Sequence, residues 1–188
     1  MYYGYYPYPH QNYGYYAAPY MQPVYPTYEE TVEALPFHED ELERQGDQGN
    51  RPYVVNIKNA AERNQAFRRA IWTGRYMQLT LMRLMPGEDI GLEMHPHTDQ
   101  FIRIEHGHGI VQMGDRRNHL NDERRIREND AVFIPAGKWH NVRNTGRTPL
   151  LLYSIYAPPE HPKGTVHRTK QEAMHHHHGH HHHYREEV

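Results

Sequence analysis

His95-Pro96-His97-Thr98-Asp99-Gln100 and, further along, Pro135-Ala136-Gly137-Lys138-Trp139-His140-Asn141 carry the reading of this chain. Two histidines at i and i+2 of a β-strand project from one face, because side chains alternate with period two, so both imidazoles can reach a single ion. A third has to arrive from a distant strand. His140 fits that need: Val132-Phe133-Ile134 is a short β-rich run, Pro135-x-Gly137 a turn, and Trp139-His140-Asn141-Val142 the start of a return strand.

Outward from these segments the chain reads as a succession of short strands, at about 53–56, 75–85, 90–97, 100–105, 109–113, 131–134, 139–144 and 149–156. A short helix is expected over 59–68. Turns are signed by Pro86-Gly87, Gly107, Gly109, Gly114-Asp115 and Asn144-Thr145-Gly146. Residues 116–130 show no apolar periodicity and are expected to form an extended surface loop or a ragged hairpin.

The two histidine segments resemble the signature motifs of the cupin family. Pro135, Gly137, His140 and Asn144 match the second motif, with Asp130 at its leading glycine, and His95, His97 and Gly107 match the first. Gln100 stands where the family has a glutamate. From about Pro52 to His167 the chain is similar to small bacterial cupins of the mannose-6-phosphate isomerase-like type. The similarity is carried by Ala70-Ile71-Trp72-Thr73-Gly74, Gly91-Leu92-Glu93-Met94-His95-Pro96, Asp99-Gln100-Phe101-Ile102-Arg103-Ile104-Glu105 and Tyr153-Ser154-Ile155-Tyr156-Ala157-Pro158-Pro159. The resemblance implies an all-β fold, a single cupin jelly-roll β-barrel with a short N-terminal helix and disordered tails. It also implies a homodimer and a divalent metal on His95, His97 and His140, with Gln100 either the fourth ligand or a residue that orients one.

Imidazole ligands suit Zn or Fe first, with Ni, Mn or Cu as alternatives. Three neutral histidines and a neutral amide would leave the ion its full charge and a strong Lewis acid. Strand parity populates the rest of the pocket. If His95 faces inward so does Glu93, a carboxylate placed to move a proton. Lys138 shares the parity of His140, and the last strand offers Tyr153 or its neighbours Ser154 and Tyr156; Glu93, Lys138 and Tyr153 are the catalytic candidates. Lys138 and Arg103 are the cations that a phosphosugar would need.

Composition divides the chain into a Tyr/Pro/Gly-rich tail (1–28), an acidic linker (29–50), the cupin domain (51–169) and a His-rich tail (170–188). Eleven of the sixteen tyrosines fall in the first segment, among too few aliphatic residues to build a core. Residues 27–49 hold eight acids against Arg44 alone, whereas 51–170 hold 19 Lys and Arg against 12 Asp and Glu. The linker is either a solvated acidic strap or a segment that folds onto a basic face. Dispersed arginines without interleaved aromatics argue against nucleic acid. No signal peptide and no membrane span is evident, so a cytoplasmic place is expected, or a spore coat. The run from His175 to His183, interrupted by Gly179, is either a purification tag or a soft sink for metal ions.

Three functions compete. Following the resemblance, the chain is a metal-dependent isomerase or epimerase of a sugar or hydroxy-carbonyl compound, a small-molecule substrate. It is alternatively an Fe(II) dioxygenase. The third is a structural or assembly protein of a spore coat or surface layer, whose N-terminal tail binds other coat proteins.

Overall fold

A computed structural model describes residues 46–179. The Tyr-rich tail, all but the last few residues of the acidic linker and the end of the histidine run lie outside them. Helix α1 (Ile57–Arg63) opens the domain, capped by the Asn56 side chain, which accepts from the Asn59 N–H. It is shorter than expected, because from Arg68 onward the backbone pairs with a neighbouring strand and cross-strand pairing overrides local helix preference.

Nine strands follow among the described residues: β1 (Arg68–Thr73), β2 (Gln78–Leu84), β3 (Asp99–His106), β4 (His108–Gly114), β5 (Asp122–Arg127), β6 (Ala131–Ile134), β7 (Trp139–Asn144), β8 (Leu150–Ala157) and β9 (Val166–His167). They form a six-stranded sheet, β6-β3-β8-β2-β1-β9, and a three-stranded sheet, β5-β4-β7, with antiparallel pairing throughout. This is an all-β jelly roll whose sheets are not closed into a barrel by continuous ladders. Their inner faces meet in one core that includes Met82, Leu84, Ile102, Ile104, Val111, Ile126, Val142, Leu150 and Leu152. On the outer face of the large sheet α1 packs Ala60 and Ala61 against Ile71 and Leu81, with Tyr153 alongside.

The strand expected over 53–56 does not form. Of the two alternatives for residues 116–130 the hairpin is the one that forms: β5 pairs back on β4, and only Ile126 in it is buried. An edge strand with one core-facing residue has no apolar alternation to read. The strand expected over 90–97 does not form. In its place the chain crosses beside β7, held by isolated bridges between Asp89 and Arg143 and between Glu93 and His140. The segment after 169 begins as a helix, α2 (Lys170–Gly179), and Ala173 joins the core. Its start is fixed reciprocally: Thr169 Oγ1 accepts from the Glu172 N–H, and the Glu172 carboxylate accepts from the Arg168 N–H.

Register gives the inner face of the large sheet two ends. Gln78, Tyr156 and Gln100 stand in one cross-strand row, and Thr80, Ser154 and Ile102 in the next. Beyond them Met82, Leu152 and Ile104 make an apolar row, followed by Leu84 and Leu150. All of these side chains are buried. The apolar end bonds the sheets together, and the polar end is a layer of buried polar side chains. Leu152→Ala, at a fully buried position in that apolar end, is expected to lower unfolding stability by about 2–5 kcal/mol in chemical denaturation, since the vacated volume cannot fully collapse.

Candidate metal centre

Beside the polar end, with Tyr156 5.6 Å from His95 between ring centroids, stand Glu93, His95 and His140, whose ligating atoms lie within 4.8 Å of one another. Backbone pairing creates this meeting. The Glu93 N–H donates to the His140 carbonyl at 3.0 Å, the His140 N–H returns the bond to Glu93 at 2.9 Å, and the Gly137 N–H donates to the His95 carbonyl at 2.8 Å. Gly137 permits the last contact because its φ of 80° lies in the left-handed region that other residues avoid. Asp99 braces the same turn by accepting from the Ala136 N–H. The Pro135-x-Gly137 motif therefore aims His140 and also fastens His95.

Both imidazoles are deeply buried, His140 fully and His95 at 4 % exposure. His140 Nδ1 lies 2.9 Å from the Lys138 carbonyl oxygen, which can only accept, so Nδ1 carries the proton and Nε2 presents a lone pair. His95 Nδ1 lies 3.0 Å from Glu160 Oε1, so the proton that His95 would give up to become a ligand is the one on Nε2. Glu93 Oε1 is 3.4 Å from each Nε2. Those three buried atoms have no hydrogen-bond partner. Three converging donor atoms, each denied a hydrogen bond and two of them oriented from behind, are the arrangement in which a divalent ion fits.

The electrostatics point the same way. Burial alone would raise the Glu93 pKa, but the two imidazoles and the Arg68 guanidinium outweigh it and hold the carboxyl well below its ordinary range. Burial would lower His95, yet Glu160 and Glu93 raise it to about 9. Glu160 is itself held down, since His95 offsets its burial. Tyr156, edge-on to His95 at 5.6 Å between ring centroids, is pushed up to about 12 by burial and keeps its proton at neutral pH.

The expected site residues divide. Glu93, His95 and His140 are brought together. His97 is exposed, because residues 95–97 follow an irregular bend on which strand parity does not hold. Gln100 is buried, its Nε2 donating to Ser154 Oγ at 2.8 Å and its Oε1 without a partner, and it is not among the clustered donors. Lys138 supports His140 through its backbone, while its half-exposed ammonium pairs with Asp115. Tyr153 faces the opposite side of the sheet, against Phe101. Tyr156 occupies the inner position, opposite Gln100. Arg103 pairs with Glu105, away from the cluster.

Sequence reasoning missed Arg68 and Glu160. The first lay inside an expected helix, and the second in a loop without a motif. A cleft of about 790 Å³ on the outer face of the three-stranded sheet, lined by His108, Ile110, Arg125 and Arg143 among others, lies away from this cluster.

An ion held by these residues would compete with the proton on His95, whose pKa Glu160 and Glu93 raise to about 9. Affinity is therefore expected to rise with pH up to that value, by roughly tenfold per unit for one proton exchanged. Competition titrations of the full chain check this, with His140→Ala as the baseline for ions held by the C-terminal histidines; a pH-independent difference between the two would contradict it.

A family model described as a cupin domain matches residues 80–156. YrkC of Bacillus subtilis is 59 % identical over 128 residues, which are 68 % of this chain and 69 % of that protein. The crystal structure of BH2720 from Bacillus halodurans is 60 % identical, superposes with a TM-score of 0.68, and is matched over 69 % of this chain and 98 % of its own. The mannose-1-phosphate guanylyltransferase ManC of Salmonella typhimurium is 32 % identical over 87 residues, 46 % of this chain but 17 % of that enzyme.

Proposed function

The chain belongs to the cupin family, and on that premise we propose that it is a metal-dependent enzyme acting on small hydroxy-carbonyl compounds, with isomerisation or epimerisation as its chemistry. The observation that carries this reading is the convergence of the partnerless Glu93 Oε1, His95 Nε2 and His140 Nε2 beside buried polar side chains. A divalent ion held by these residues supplies Lewis acidity toward a hydroxyl or carbonyl oxygen. Glu93 is then a ligand rather than a proton carrier, and its charge makes the centre milder than three imidazoles would. Tyr156, buried and protonated beside His95, is placed to give a proton to a substrate oxygen. Gln100 and Ser154, joined by their side chains, offer an oriented amide oxygen. The similarity to part of ManC agrees with a sugar-like substrate.

One observation favours a second reading. Two histidines and one carboxylate are the donor set of many non-haem Fe(II) oxygenases, so dioxygenase chemistry suits the same residues.

Elemental analysis of the full chain beside His95→Ala/His140→Ala is expected to show one ion per chain lost in the double variant. Incubating the loaded chain with hydroxy-carbonyl compounds in deuterated buffer should then wash solvent deuterium into the carbon next to the carbonyl, without consuming oxygen. Iron-dependent oxygen uptake would transfer the assignment to the dioxygenase. An unchanged ion count would sink both readings.

A further inference from the structure

Arg68 is a buried charge that this chemistry leaves unused. It lies on β1 with 1 % of its side chain exposed. Its Nε is buried without a hydrogen-bond partner, and Nη2 reaches Glu93 Oε2 only at 3.5 Å. A guanidinium presents five N–H donors, so burial with one long contact leaves most of its demand unanswered. Glu93 cannot answer more of it, because its other oxygen is directed between the two imidazoles. The nearest aromatic face, Phe67, is 5.9 Å from the guanidinium carbon.

The same inner face of the sheet carries two more buried donors without partners, the Tyr156 hydroxyl and Thr80 Oγ1. Charge narrows the ligand that such a set of donors accepts. Glu93 offsets one of the two charges of a divalent ion, and Glu160 is engaged by His95 Nδ1, so Arg68 leaves the loaded site cationic. A phosphate dianion would call for a second free cation. Lys138 and Arg103 are instead paired with Asp115 and Glu105.

Resting on the metal-centre reading, we infer that the substrate is a small carboxylate: a hydroxy- or oxo-acid whose carboxylate is held by Arg68 while its neighbouring hydroxyl or carbonyl oxygen turns toward Glu93, His95 and His140. The planar guanidinium fork matches a carboxylate through paired hydrogen bonds, which gives Arg68 the task of orienting the molecule as well as attracting it. Tyr156 and Thr80 donate to the remaining oxygens.

The test is calorimetric titration of the zinc-loaded full chain with pyruvate, with dihydroxyacetone as a neutral three-carbon carbonyl compound, and with inorganic phosphate, subtracting the same titrations of His140→Ala. Pyruvate is expected to bind at least about tenfold more tightly than dihydroxyacetone, as a charge-assisted paired contact gives. Arg68→Gln should erase that preference and Arg68→Lys weaken it, with the zinc content of both unchanged. Equal binding of the two compounds by the unaltered chain overturns the inference, as does a preference that survives intact in either variant, or phosphate binding more tightly than pyruvate. Should Arg68→Gln not fold, the lysine variant alone decides. If the unaltered chain takes up no more zinc than His140→Ala, the metal-centre reading has failed separately. The preference for pyruvate in the ion-free chain then decides the role of Arg68: present, it stands; absent, it falls.

Discussion

Two backbone hydrogen bonds exchanged between Glu93 and His140 tie together segments that would otherwise have no fixed relation. Residues 90–98 are not part of a sheet, and β7 belongs to the smaller one. Without this bridge a carboxylate on an irregular crossing would have no reason to stay beside an imidazole on a strand. The third bond, from Gly137 to His95, extends the clamp to the other histidine. Backbone bonds suit the task because they do not depend on side chains that must stay available to a ligand. The geometry of the donor atoms thus follows first from chain pairing, and the contacts of Glu160 with His95 and of Arg68 with Glu93 add to it.

Around that clamp the protein tolerates a dense set of buried charges. Glu93 stays ionised because His140, His95 and Arg68 surround it, and His95 is held between Glu93 and Glu160. Such an arrangement is unfavourable in an apolar interior unless each charge is answered. Gathering it toward one end of the inner face eases the conflict with folding, although Arg68 is rooted opposite Met82 and reaches Glu93 from there. The rows of Met82, Leu152 and Ile104 and of Leu84 and Leu150 supply apolar contact between the sheets, and the rows containing Gln78, Tyr156, Gln100, Thr80 and Ser154 place polar side chains at the end nearer the cluster. Stability and chemistry occupy neighbouring halves of the same surface.

Legibility in the sequence followed how far each segment obeys a simple period. β6 and β7 form at 131–134 and 139–144, as expected, because short apolar runs flank a Pro-x-Gly turn that admits few alternatives. β5 escaped because an edge strand with only Ile126 facing the core shows no alternation. The position of His97 has a related cause: the backbone bends at residues 96–97, so the neighbour of a buried histidine lies at the surface. Tyr153 fell on the wrong face because the phase of β8 is set by its pairing with β3, where Gln100 lies opposite Tyr156, a relation between strands far apart in the chain.

The sequence by itself determined the fold family, the turn that presents His140, and the residue types at the site, since motif spacing and turn chemistry are local properties of the chain. Tertiary structure alone decided which donors meet. It set Glu93 beside His95 and His140 and left His97 exposed, turned Tyr156 rather than Tyr153 inward, and brought Arg68 and Glu160 to the cluster from segments that carry no motif. The physical reason is that ligand sets and charge networks depend on distances between segments. Those distances are set by sheet register and by isolated backbone bridges, neither of which leaves a periodic mark in the sequence.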